Sequence, residues 1–414
     1  MGSFRGPVRR ASRPLPSFLC RILIVTIILC FLQQQRLFYS YQAALSAKYS
    51  PTYFGDESDQ FSSEPGVSAE KGTSLQDELL ANRDSWNVLG EGWEGTIYSY
   101  KDVVIKTFKI GQSPLRNCMA RSTSRWPTEI PATAYFGARA LSKPTNGSSD
   151  DTLITRGGFL PVHAYFQASA SPTSPTEWHL VTPLIPGGNL KGLAKQLRKS
   201  ETPNSFRDLD AQYRPTFHRL LETLDTMHRD GYCHDDVKPG NIFIETSHHW
   251  ALGDLGNVRH ISHPYHTTRI WTENKQYTDC RANDAVRLLK TYLYFLRRAS
   301  SDPERFDAEF FAREEPLSKL FWHVMSKSET MSARQVRLLS FSEAPLQEDQ
   351  ESVHAVARHG PSCFQALFDR VPFSSPRTVW RRRSINEALR TSMSEGRARF
   401  WAMAWLFKIP ETPC

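Results

Sequence analysis

The chain has 414 residues, 40% hydrophobic and 23% charged, a balance that excludes a disordered or collagen-like protein and allows one large two-lobed domain with extensions or two to three small ones. Its 51 Lys and Arg against 43 Asp and Glu would suggest a nucleic-acid partner if spread evenly, but seven basic and no acidic residues fall in positions 1–55. The rest holds 44 basic against 43 acidic residues, and the cluster Arg381, Arg382, Arg383 lacks the aromatic interleaving of a nucleic-acid track, so no nucleic-acid partner is expected.

Residues 1–17 form a basic tail. Ile22 to Leu32 is an eleven-residue apolar run, extended back through Phe18-Leu19-Cys20 with only Arg21 interrupting. A membrane span needs about 20 residues, so the run alone is short for an anchor. Yet the nearest small-residue cleavage pattern, Ala44-Leu45-Ser46, lies far downstream for a signal peptide. Residues 18–38 are therefore read as an uncleaved type II signal-anchor, with Arg21 snorkelling to the cytosolic surface and everything after it in the lumen. A cleaved, secreted form and a mitochondrial presequence are the alternatives, the latter weakened because the run is not amphipathic.

Residues 39–80, rich in Ser, Ala, Tyr and Gly and carrying Pro51 and Pro65, read as a stem. Asn146-Gly147-Ser148 is a sequon with Asn146 as the candidate glycosylation site. Five cysteines lie beyond the apolar run, an odd number that leaves at least one unpaired within the chain.

A folded domain is expected over 81–414. Short β-like runs, Thr96 to Tyr100, Val103 to Phe108, Phe159 to Phe166 and Trp178 to Thr182, fill its first part. From Tyr213 the pattern turns helical, with Phe217, Leu220, Leu221, Leu224, Met227 and His228 at three- and four-residue steps and Gly231 as the stop. Strands followed by helices argue an α+β, bilobal architecture, with a β-rich N-lobe over about 84–186 and a helical C-lobe over about 187–410.

Within it, Gly90-Glu91-Gly92-Trp93-Glu94-Gly95 is a glycine loop between strand-like segments, where Gly90, Gly92 and Gly95 let backbone N–H groups approach phosphates. A second strand follows rather than a helix, which argues against a dinucleotide fold. That strand holds Val103-Val104-Ile105-Lys106. Glu129 is the only carboxylate between Lys106 and Asp150, and so by elimination its candidate ion-pair partner, placed near a helix start by Pro131.

Downstream come His234-Asp235-Asp236-Val237-Lys238-Pro239-Gly240-Asn241 and Leu252-Gly253-Asp254-Leu255-Gly256. Asp236 can accept or orient a hydroxyl proton, Lys238 can neutralise a moving phosphoryl group, and Asn241 with Asp254 offers the oxygen donors that Mg²⁺ prefers. In this order and spacing the motifs resemble the eukaryotic protein kinase superfamily, in its Ser/Thr-type branch, over roughly residues 86–300. The chain is also similar to membrane-anchored kinase-like proteins of filamentous fungi.

The resemblance implies ATP and Mg²⁺ as cofactors and a protein substrate. It makes Lys106 the ligand of the nucleotide's α and β phosphates and Leu180 to Gly188 the adenine-binding hinge, with Thr182, Pro183 and Ile185 facing the base and Thr182 as gatekeeper. It gives His234 a structural role and makes Asp284 the brace of the catalytic loop, with Asp279 as second choice. Two departures stand out. Asp235 replaces the usual arginine before the catalytic aspartate, which disfavours activation by loop phosphorylation. No Ala-Pro-Glu closes the segment after Asp254, which puts the peptide-docking surface in question. The expected activity is therefore Ser/Thr protein phosphorylation, with a pseudokinase binding module and a lumenal glycan or small-molecule kinase as the rival readings.

Overall fold

The computed structural model describes residues 15–54, 69–92, 94–109, 115–119, 125–142, 155–169, 171, 173–201, 204–343 and 376–407. It opens with one long helix, α1 (Leu15–Lys48). The stretch Phe18–Lys48 is long and apolar enough to cross a membrane, and its apolar side chains from Phe18 to Leu32 are exposed.

The helix does not stop where the anchor was expected to end. It runs ten residues past position 38 and seats Tyr41, Ala44 and Leu45 against Cys233, Tyr265, Ile270, Trp271 and Cys280. Beyond it, Thr52 donates its hydroxyl to the Val258 carbonyl (3.1 Å), and the Phe54 ring stacks on Tyr232 at 5.3 Å. Residues 39–54 thus form a strap packed on the folded domain, at the start of the stretch that the sequence reads as a stem. Their Ser, Ala and Tyr content hid a buried face at positions 41, 44 and 45, a helical spacing. The far end of the same stretch is also structural. Helix α2 (Ala69–Ala81) buries Leu79 completely, and the Trp86 indole donates to the Leu79 carbonyl at 3.2 Å.

The N-lobe strands are β1 (Asn87–Glu91), β2 (Gly95–Tyr100), β3 (Val103–Phe108), β4 (Asn117–Cys118), β5 (Arg125–Trp126), β6 (Ala164–Ser169) and β7 (Thr176–Pro183). Five form an antiparallel sheet in the order β1-β2-β3-β7-β6, and β4 pairs with β5. Only glycine fits at Gly95, because a Cβ there would lie 1.9 Å from the Thr107 carbonyl oxygen. The strand expected from Phe159 begins later. Phe159 makes only an isolated bridge to Leu252, and Pro161, which has no N–H to give, precedes β6. Helix α3 (Glu129–Ser142) packs beneath the sheet, with Ile130 buried among Trp126, Tyr165 and Leu180.

The C-lobe is built on α4 (Leu190–Arg198), α5 (Phe206–Arg229), the short strands β8 (Tyr232–Cys233), β9 (Ile242–Thr246), β10 (His249–Leu252) and β11 (Arg259–His260), α6 (Arg269–Glu273) and α7 (Cys280–Ala299). Behind them lie α8 (Pro303–Ala312), α9 (Pro316–Ser326), α10 (Ala333–Ser342), α11 (Pro376–Ala388) and α12 (Gly396–Trp401). Helix α5 starts a full two turns before Tyr213, because Ser205 accepts the Asp208 N–H at 3.2 Å and so caps it. Its apolar face meets α7, where Phe217 stacks on Tyr292 at 4.3 Å. A disulfide joins Cys233 to Cys280 and ties β8 to the first turn of α7.

Candidate active site

Between the sheet and the helical lobe lies a cleft of about 370 Å³. Leu89, Ile97, Val104 and Leu180 line it from the sheet, and Leu160 and Phe243 from the other side. Thr182, Pro183 and Ile185 form its inner edge, where β7 leaves the sheet. The Leu184 N–H is already spent on the Asp102 carbonyl (2.7 Å). Gly90 lines the mouth. Gly92 closes the glycine turn by donating its N–H to the Gly95 carbonyl at 2.9 Å. A flat apolar slot edged by backbone and closed by a glycine turn suits a purine and its phosphates.

The charged groups gather at the inner end. Lys106, on the central strand β3, forms an ion pair with Glu129, the first residue of α3, and reaches the Asp254 Oδ1 at 3.3 Å. Burial alone would strip the Lys106 charge, but the carboxylates of Asp254 and Glu129 overcome it and hold the ammonium above its ordinary range. Lys106, with burial opposing it and Lys238 assisting, draws the Asp254 carboxyl below its ordinary value. Asp254 is therefore ionised at neutral pH. It sits in the left-handed backbone region at φ 56°, a conformation a non-glycine residue adopts only where its surroundings hold it.

The catalytic-loop residues meet the same point. Lys238 donates to the Asp236 Oδ2 at 2.6 Å and lies 4.0 Å from the Asp254 Oδ2, and its pKa is raised because these carboxylates outweigh burial. Asn241 ends a 3₁₀ turn begun by Pro239 and donates its side-chain amide to the Asp236 carbonyl at 3.0 Å. Its own carbonyl accepts the Gly253 N–H at 3.0 Å, which fixes Asn241 beside Asp254. The Asp236 Oδ2 is thus occupied by Lys238 and, at 3.3 Å, by Asn241; no described residue donates to Oδ1. That oxygen is open to an incoming hydroxyl.

Behind the loop, the buried Asp284 of α7 accepts the His234 N–H at 2.6 Å and the Asp235 N–H at 3.0 Å. Asp279 instead caps α7 by accepting the Arg281 N–H at 2.9 Å. The His234 ring reaches the Gly253 carbonyl at 3.2 Å, so it joins the catalytic loop to the strand before Asp254.

Asp235 is the part the sequence reading left unexplained. Its backbone is left-handed at φ 62°, and its side chain is about 1% exposed. The Oδ2 meets the Arg259 Nη1 at 3.0 Å and the His266 Nε2 at 2.9 Å, while Arg287 of α7 donates to the Asp235 backbone carbonyl. Burial opposes ionisation here, but His266, Arg259 and Arg287 together hold the carboxyl far below the ordinary aspartate range. Arg259 also donates its Nη2 to the Lys48 carbonyl at 3.1 Å, so the last residue of α1 closes the same cluster. Leu160, Phe243, Arg259 and His266 were not picked out from sequence. Phe243 follows Asn241 by two positions on a strand and could have been; Arg259 is delivered by a two-residue strand pairing, Arg259 opposite Cys233, that carries no sequence signal. Asn146 lies outside the described residues.

Comparison with known proteins covers part of this geometry. Residues 164–278 match the family model of the protein kinase domain. Over 96 residues, 23% of this chain and 6% of the relative, the sequence is 31% identical to a probable serine/threonine-protein kinase of Dictyostelium discoideum. Over 82 residues, 20% of this chain and 6% of the relative, it is 33% identical to a Rho-associated protein kinase of Caenorhabditis briggsae. Over 63 residues it is 36% identical to an eIF-2-alpha kinase of Schizosaccharomyces pombe, covering 15% of this chain and 3% of that one. The chain therefore spans only a small fraction of the curated relatives it matches.

Proposed function

We propose, from the premise that this chain belongs to the eukaryotic protein kinase superfamily, that it is an ATP- and Mg²⁺-dependent phosphotransferase acting on Ser or Thr hydroxyls of a protein. The observation that carries the reading is the convergence of Lys106, Asn241 and Asp254 in one apolar cleft, with Asp236 and Lys238 bonded beside them. Adenine would lie between Leu160, Phe243 and the sheet, with the backbone at Pro183 and Ile185 along its edge. Lys106, oriented by Glu129, would hold the α and β phosphates. The ionised Asp254 and the Asn241 side-chain oxygen are hard donors of the kind Mg²⁺ takes, and these two residues would hold it. When bound, that ion neutralises charge on the phosphate oxygens.

The acceptor hydroxyl would approach the free Asp236 Oδ1, which orients it and takes its proton as the oxygen bonds to the γ-phosphorus and the bond to the β–γ bridging oxygen breaks, releasing ADP. Lys238, already bonded to Asp236, faces the charge that builds on the transferring group. The Asp235 cluster supports an active arrangement without a phosphate on the segment, since paired side chains already hold that segment against the loop.

For location, the reading is a type II membrane protein with the kinase domain in the lumen. It is supported by the exposed apolar α1 and by the buried Cys233–Cys280 disulfide, a bond that persists in oxidising compartments. Incubating the full-length chain with γ-labelled ATP, Mg²⁺ and a panel of lumenal and cytosolic proteins tests the activity. Label on protein Ser or Thr supports it, and label on glycans alone would replace it with the rival chemistry.

A further inference from the structure

Two adjoining clefts, of about 630 and 390 Å³, lie beside the catalytic loop, and the larger one shares Gly240 with the nucleotide cleft. They share Lys191, Pro239, Tyr294 and Arg298, and the larger one reaches Lys238 and Gly240, the turn between Asp236 and Asn241. Together they make one trough running from the catalytic loop along α4 and α7, closed on its outer side by α11 and the residues just after it.

Its charge is one-sided. Lys191, Lys195 and Arg198 come from α4, Arg298 from the end of α7, and Arg382 and Arg390 from α11 and beyond. These segments are about a hundred residues apart in sequence, so the cluster is not a single basic run. Among the described residues that line the trough there is no carboxylate.

Elsewhere in the lobe some basic side chains are held by carboxylates. Arg207 is held by Glu309 and Glu315, and Arg305 by Glu309. In the trough, none of Lys191, Lys195, Arg198, Lys199, Arg298 and Arg382 forms an ion pair with a described residue, whereas Lys238 is paired with Asp236, the buried Arg297 with Asp307, and Arg390 approaches Glu387 at 3.8 Å. The chain beyond position 55 is nearly neutral, so this field is not the average of the surface. Like charges gathered without counter-charges repel one another, which a surface tolerates where an anion is to be bound.

We infer that the trough seats the acidic flank of a protein substrate, with Asp and Glu residues lying along α4 and α7 while the acceptor hydroxyl beside them reaches Asp236. The trough leads into the catalytic loop, so its occupant must carry the acceptor. It is concave, unlike a surface meant to lie on a bilayer. Of the rings that line it Phe295 is buried and Tyr294 half-buried, a single partly exposed ring where single-stranded nucleic acid is held by stacking on several. The role as a substrate seat rests on the phosphotransfer reading, but the anion binding does not.

The test uses the full-length chain in detergent micelles and three fluorescent peptides, each with one Ser, flanked by Asp and Glu, by Asn and Gln, or by Lys. By anisotropy the acidic peptide is expected to bind about tenfold tighter than the neutral one at low salt, with the advantage shrinking as salt is added. The double reversal Lys195→Glu with Arg298→Glu, at two exposed positions, transfers the preference to the Lys-flanked peptide. The milder pair Lys195→Gln with Arg298→Gln gives an intermediate value, which separates charge from misfolding. Equal binding of acidic and neutral peptides, or an acidic preference untouched by the reversal, overturns the inference. Binding of anionic vesicles with none of any peptide also overturns it, in favour of a lipid-facing surface. If acidic peptide binds as expected but its Ser is never phosphorylated, the trough stands and the phosphotransfer reading falls.

Discussion

The cleft between the lobes and the surface behind residues 234–241 sit only a few residues apart in sequence, yet they differ in how closely they follow the protein kinase pattern. In the cleft, Lys106, Glu129, Asp236, Lys238, Asn241 and Asp254 are the residue types the family uses, joined in one network. Behind the loop, an aspartate stands where the family has an arginine; its partners are Arg259 and His266, and Arg259 in turn donates to a carbonyl at the end of α1. Transferring a phosphoryl group demands particular atoms at particular points. Holding a loop demands only that opposite charges meet and that the left-handed turn at Asp235 be kept, and inverted charges do that equally well.

The largest expected effect lies in the cleft. Asp236→Ala should lower single-turnover phosphoryl transfer by about 10²–10⁴-fold with nucleotide affinity nearly unchanged, because a proton acceptor acts mainly in the transition state. Equal loss of both would remove the distinction drawn between chemistry and support.

The next effect lies behind the loop and appears in stability. Asp235→Asn or Arg259→Ala leaves a buried charge unpaired and should cost about 3–5 kcal/mol in denaturant unfolding, with the double variant costing less than the sum. The pH dependence has a fixed sign. The folded-state pKa of Asp235 is depressed, so its contribution is fully present above the ordinary aspartate pKa and is lost as pH falls through the folded value. The stability gap between wild type and Asp235→Asn should therefore stay constant from neutral pH down to about 5 and close only below about 4. A gap that closed near pH 6 would assign the effect to the histidines instead.

A smaller effect comes from the covalent tie. Replacing Cys233 and Cys280 together by Ala should lower stability by about 2–4 kcal/mol while nucleotide affinity holds. The smallest concerns the strap. Tyr41→Phe removes a hydrogen bond to Glu273 (2.7 Å) and should cost about 0.5–1.5 kcal/mol, a size that still shows whether α1 is docked in solution.

The same contrast explains what was legible from sequence. The cleft could be read because its chemistry fixes residue types at short spacing, as in Asp236, Lys238 and Asn241. Strands β2, β3 and β7 announced themselves through apolar runs of the right length. The strap could not be read, since its buried face of Tyr41, Ala44 and Leu45 is short and sits in a composition typical of linkers. Nor could the partners of Asp235, because Arg259 and His266 reach it through tertiary folding, 24 and 31 residues away along the chain. The start of α5 was missed for a local reason, a serine cap at Ser205 ahead of the apolar stripe.

In the proposed reading one cleft binds ATP through Lys106 and a metal held by Asn241 and Asp254. Calorimetric titration of the full-length chain with ATP, with and without Mg²⁺, tests it most directly when repeated on Asp254→Ala. The account predicts tight binding that needs Mg²⁺ in the wild type and a variant in which adding Mg²⁺ changes little. ATP binding that is absent in the wild type, or whose Mg²⁺ dependence survives in Asp254→Ala, would contradict it.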